Sequence, residues 1–139
     1  MTLFEYLSVL VSIILSFGII RLLEGLPVVF RRERGYVIQG LWVVIVLWLH
    51  IHVWWVLWSY STEVTWNYLR FLILLADPLL LYSLAITLVP RDLVPTGSWR
   101  DHFYGIRVRL FVLLAAWMGA VSVANWQLLE TPFLSRIRL

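Results

Sequence analysis

Three side chains in this sequence could do acid–base or ligand chemistry at a depth where such groups are rare. His50 and His52 stand in VLWLHIHVWWVLWSY (46–60), and Asp77 stands in LLADPLLL (74–81). An imidazole titrates near pH 6.5 when unperturbed, so an intramembrane Asp–His pair can relay protons or hold a cation. The plainer expectation is a neutral Asp77, or an Asp–His hydrogen bond that fastens two helices. A third chemistry is ligation. Histidine on a membrane helix is a usual axial ligand of haem, and it also holds chlorophyll-type pigments, with flanking tryptophans packed on the macrocycle. A haem held by two histidines would need two copies of the chain, because His102 lies in a loop and no other span carries a histidine.

Helical rotation separates the two imidazoles by about 160°. His50 shares a face with Gln39, Val43 and Trp54. His52 shares a face with Trp48, Trp55 and Ser59. The two cannot serve one metal or one proton together. Asp77 is followed by Pro78, which frees the carbonyl of Leu74 and favours a kink. Antiparallel spans place Asp77 within about one turn in height of both histidines, so either is a candidate partner.

The elements that must position these groups are membrane spans. The chain is 62% hydrophobic and 14% charged, with a mean hydropathy of +0.88. A soluble domain averages about 45–50% apolar and about 25% charged residues. Apolar runs of roughly 20 residues suffice to cross a bilayer as helices. Four are readable, at about 3–26, 36–59, 67–89 and 108–129. Strand alternation is absent, so the expected fold is an all-α bundle of four transmembrane helices in one domain spanning residues 1–139.

Arginine distribution gives an orientation. Arg21, Arg31, Arg32, Arg34, Arg91, Arg100, Arg107 and Arg109 lie toward one side, and Arg70, Arg136 and Arg138 toward the other. Eight against three puts loops one and three in the cytoplasm and both termini outside. The first span lacks a basic n-region and a cleavage site, so it is expected to be a retained anchor. Arg31, Arg32, Arg34, Arg107 and Arg109, with Trp58, Trp66 and Trp99, are expected at the membrane interfaces. The third loop, PRDLVPTGSWRDHFYGIR, is read as helix-breaking through Pro90, Pro95 and Gly97.

FEYLSVLVSIILSFGIIRLLEGL at the start, the LW–H–WW pattern of the second span and WRDHFYGIRVRLF before the fourth resemble an uncharacterised family of small bacterial multi-span membrane proteins. The resemblance implies a bacterial cytoplasmic-membrane location and carries no functional residue with it. Members often continue into further apolar segments. A chain of four spans is then a short member or completes its bundle with another chain.

Small residues mark where helices can approach. Glu5, Ser8, Ser12 and Ser16 form one stripe, read as a packing seam, with a pore lining as the alternative. The fourth span repeats the device, with Ala115 and Gly119 on one face and Ala116, Ala120 and Ala124 on another. Two such faces suggest neighbours on both sides. Arg21 and Glu24 can pair on the helix surface.

Absences narrow the function. Lysine and cysteine do not occur, which excludes Schiff-base, thiolate and disulfide chemistry by this chain. No metal-ligand cluster or hydrolase motif is present, and the arginine pattern does not resemble a nucleic-acid footprint. The expectation is a non-enzymatic membrane protein, working as an oligomer or an accessory subunit held by the small-residue faces of spans one and four. Proton or cation transport is the alternative, and a haem- or pigment-binding subunit the third reading.

Overall fold

The structure, a computed structural model, describes residues 2–31, 35–61, 65–92 and 98–137, with side chains as far as residue 127. Arg32, Arg34, Pro95, Gly97 and Arg138 lie outside that description, as does the side chain of Arg136. Four helices follow in order: α1 (Leu3–Val29), α2 (Val37–Ser59), α3 (Tyr68–Leu88) and α4 (Trp99–Ile137). Among the described residues there is no strand. All four helices are long and apolar enough to cross a membrane, and the chain is an all-α integral membrane bundle.

Helix ends follow local chemistry. Thr2 and Glu5 form a reciprocal capping box at the start of α1. The Glu5 amide donates to the Thr2 hydroxyl at 3.2 Å, and the Thr2 amide donates to the Glu5 carboxylate at 2.8 Å. Asn67 caps α3 by accepting from the Arg70 amide at 2.8 Å. Ser98 starts α4. Its hydroxyl accepts from the Asp101 amide at 3.3 Å and donates to the Asp101 carboxylate at 2.9 Å. The helix therefore begins at Trp99, nine residues before the expected 108, and WRDHFYGIR is helical rather than loop. Likewise α1 continues through Pro27 to Val29, beyond the expected 26.

The core lies mainly between the first three helices, with Phe103 and Leu110 of α4 joining it near the arginine-rich end. On α1 the buried seam is Leu7, Val11, Leu15, Gly18, Leu22, Gly25 and Val29, a repeat of threes and fours. It meets Val43, Val46, Leu49, Val53 and Leu57 of α2 and Leu74, Leu81, Leu84 and Leu88 of α3 in one cluster. Two glycines set how close the helices come. A Cβ on Gly18 would overlap the His50 imidazole, and one on Gly25 would overlap the Val89 side chain. Packing of this kind, rather than water exclusion, holds helices together in lipid.

α4 is attached differently. It packs along α3 and touches α2 slightly. The aromatic contacts toward the second helix sit at the arginine-rich end: Phe103 against Tyr36 with centroids 5.7 Å apart, and Phe111 against Trp42 at 5.6 Å. Only 6% of the apolar window of α4 is buried within the chain, against 22% to 33% for the other three.

Candidate functional site

α2 presents its two histidines to different surroundings, as their spacing requires. His50 falls on the buried stripe that runs from Gln39 through Val43 and Val46 to Val53 and Leu57. It is fully enclosed. Its Nδ1 donates to the Val46 carbonyl at 2.7 Å, one turn back in the same helix. A carbonyl only accepts, so Nδ1 carries the proton and Nε2 of the neutral ring presents a lone pair. That Nε2 is buried, packs on Gly18 and has no hydrogen-bond partner. The close approach of α1 leaves this imidazole no open side on which to ligate a macrocycle.

His52 lies on the exposed side of α2, stacked on Trp48 with centroids 5.2 Å apart and planes at 19°. Its partner is the residue one turn earlier, as the shared face of residues 48 and 52 requires. Trp54 and Trp55 are half-exposed and largely exposed, so neither is a core residue.

Asp77 stands in the middle of α3, beside the buried Pro78. Pro78 faces the three-helix core, and the neighbouring carboxylate turns to α4. There the Trp117 indole N–H donates to Asp77 Oδ1. The hydrogen bond expected with a histidine goes to a tryptophan instead. His50 is at the right height: Gln39 donates to the Leu88 carbonyl at 2.7 Å, which fixes the register of α2 and α3, and His50 and Asp77 each lie eleven residues from that contact. The direction around the helix differs, however. His50 points at α1 and Asp77 at α4. His52 is within electrostatic reach of the carboxylate. Tyr60 lies just past α2, where burial first, and then the charge of Asp77, raise its hydroxyl above the usual tyrosine range.

Gln39 is the polar core residue the sequence reading passed over as a site in its own right. It is fully buried, its Nε2 ties α2 to the end of α3, and its Oε1 has no partner. An amide on the same stripe as His50 was the available signal.

The small-residue stripes of α1 and α4 lie off the chain's own buried seam. Ser8, Ser12 and Ser16 lie beside the α1 seam, not on it, and Ser16 is exposed. Their hydroxyls donate to Glu5, Ser8 and Ser12 carbonyls within α1. Glu5 is engaged in the helix cap. On α4, Ala115, Ala116 and Gly119 are exposed and Ala120 and Ala124 half-exposed. A Cβ added at Gly119 would meet nothing within 4 Å. These small residues admit no helix of this chain.

Of the expected interface anchors, Trp58 is 76% exposed. Arg31, Arg107 and Arg109 are also exposed, and Arg107 lies over the Tyr104 ring at 5.4 Å. Trp66 is half-buried against Phe4, with centroids 6.0 Å apart. Trp99 departs from expectation. It is buried at the start of α4, edge-on to His102 at 5.6 Å, because the early helix start turns it inward. The Arg21–Glu24 pair forms at 3.6 Å.

Fold and site together define a four-helix integral membrane protein in which Gln39 ties α2 to α3 and Asp77 ties α3 to α4. Comparison with protein-family models, with curated proteins and with solved structures finds no match to this chain.

Proposed function

We propose that this is a non-enzymatic membrane protein that works as an oligomer, or as an accessory subunit of a larger membrane complex, docking through the outer half of α4. The observation that carries the reading is Gly119, where an added Cβ would meet no described residue within 4 Å, with Ala115 and Ala116 exposed beside it. Small residues let helix backbones approach closely in lipid, and α3 does not occupy this surface. The same logic seats His50 on Gly18 inside the chain.

The chain has no cysteine, so single-cysteine variants report contacts without background. Gly119→Cys is expected to cross-link on mild oxidation in native membranes, to a second copy or to a subunit that mass spectrometry identifies. Ser16→Cys on α1 serves as the exposed control. Equal cross-linking of both would contradict the reading. The proposed setting is the bacterial cytoplasmic membrane with both termini outside, supported by the arginine asymmetry and the family resemblance. Reporter fusions at each terminus test it.

A second reading is proton or cation movement through Asp77. It is favoured by the carboxylate itself: Trp117 holds Oδ1, and no described residue donates to Oδ2. An ionisable group at this depth costs about 2.5–3.5 kcal/mol on insertion scales. In this reading Asp77→Asn abolishes flux into liposomes, whereas a purely structural Asp77 leaves any flux unchanged.

A further inference from the structure

An open cavity of about 350 Å³ lies between the first turns of α1 and the last turns of α2, lined by Phe4, Ser8, Trp54, Trp55, Leu57 and Trp58. It sits at the end of the bundle opposite the arginine-rich loops, on a different helix pair from the α4 surface. Its walls are apolar apart from two kinds of polar group. The Ser8 hydroxyl is engaged, donating to the Glu5 carbonyl at 2.8 Å. The indole N–H groups of the three tryptophans donate to no acceptor among the described residues. An indole N–H only donates. The cavity is therefore bounded by hydrocarbon and by indoles whose N–H groups are unpaired among the described residues, and no charged residue lines it.

The complementary ligand is a thin apolar chain carrying a hydrogen-bond acceptor near one end. A neighbouring helix does not fit this description. It is about 10–12 Å across with its side chains, and Trp55 and Trp58, 79% and 76% exposed, stand at the rim. A bilayer supplies the right chemistry at the right depth. Tryptophans near span ends sit at headgroup level, where the ester carbonyls of glycerolipids join their acyl chains.

We propose that this cavity is a lipid site that seats one acyl chain of a diacyl glycerophospholipid, with an ester carbonyl accepting from an indole N–H. The chain lies between the indoles of α2 and the Phe4–Ser8 edge of α1. The headgroup remains outside, so selectivity is for the ester linkage rather than for headgroup charge.

The test is native mass spectrometry of delipidated protein titrated with dioleoylphosphatidylcholine. Wild type is expected to retain one lipid through gentle activation. Ser8→Trp fills the cavity and is expected to lower occupancy roughly tenfold, the equivalent of one decade in binding constant. Ser16→Trp, two turns along the exposed side, is expected to bind like wild type. The dialkyl ether analogue lacks the ester carbonyl and is expected to bind roughly three- to tenfold more weakly, the range for one lost hydrogen bond. A W54F/W55F/W58F variant keeps aromatic walls on exposed positions and removes the donors. It is expected to bind ester and ether lipids alike, and it serves even if Ser8→Trp does not fold. The proposal is overturned if wild type retains no lipid, if Ser8→Trp and Ser16→Trp retain it equally, or if ester and ether lipids bind wild type alike. A lipid-free dimer broken by Ser8→Trp would overturn it in favour of a second copy.

Discussion

The α1–α2–α3 seam and the outer half of α4 use small residues in opposite ways. In the seam, Gly18 and Gly25 are filled, by His50 and Val89. Leu7, Leu22, Leu81, Leu84 and Leu88 around them are completely enclosed. On α4, Gly119 meets nothing, and the neighbouring alanines face outward. Lipid tails are as apolar as leucine, so burial alone gives helices little reason to associate. Close fit does, and the seam has it. The outer half of α4 has the residues for a close fit without a partner inside the chain, and is held to α3 by features such as the Asp77–Trp117 hydrogen bond.

Substitutions can break that contrast, beginning with the largest effect. Gly18→Val places a branched side chain where the His50 ring lies. It should destabilise the folded chain by about 1–3 kcal/mol, the usual cost of overpacking, seen as a lowered Tm in detergent. Gly119→Val adds the same atoms in open space and should leave the Tm of the isolated chain unchanged. An equal loss from both would erase the distinction between the two regions.

The next effect is smaller. Trp117→Phe keeps the ring and removes the donor to Asp77. Interhelical hydrogen bonds in membrane bundles average about 0.6 kcal/mol and reach about 1.7, so a loss in that range is expected. Asp77→Asn retains a carbonyl acceptor and should cost less than Trp117→Phe. The reverse order, measured by unfolding in the same detergent, would mean that the ionised carboxylate matters more than the indole bond.

The smallest effect concerns the serine stripe. Ser12→Ala and Ser16→Ala remove hydroxyls that bond only within α1. Neither should shift stability by more than about 0.5 kcal/mol, the range of surface changes. A larger loss would show that the stripe meets something in the assembled protein, which would extend the intermolecular surface from α4 to α1.

Much of this architecture was legible in the sequence. Span number and helical class follow from hydropathy, and the split of His50 from His52 follows from helical rotation. Height was legible as well, since Asp77 and His50 do sit level across the α2–α3 register set by Gln39 and Leu88. What periodicity could not supply was direction, because the side of α3 that meets α4 depends on how all four helices assemble. The Asp77 hydrogen bond accordingly goes to Trp117, on a helix that height alone does not single out. The early start of α4 was a different matter. Ser98 and Asp101 form a Ser-x-x-Asp cap, a start signal that stands directly after the helix breakers Pro95 and Gly97 in the sequence. Small residues at helical spacing read alike whether they face a helix of the same chain or its outside, and the α1 serines lie beside the chain's own seam.

The most direct test of the central claim is the assembly state of the wild-type chain and Gly119→Trp in nanodiscs, measured by mass photometry alongside Tm. The account predicts that wild type assembles, with itself or with a co-purified subunit, and that Gly119→Trp is a lone chain of unchanged Tm. A wild-type chain that stays alone when purified from native membranes, or a Gly119→Trp variant that assembles as wild type does, would contradict it.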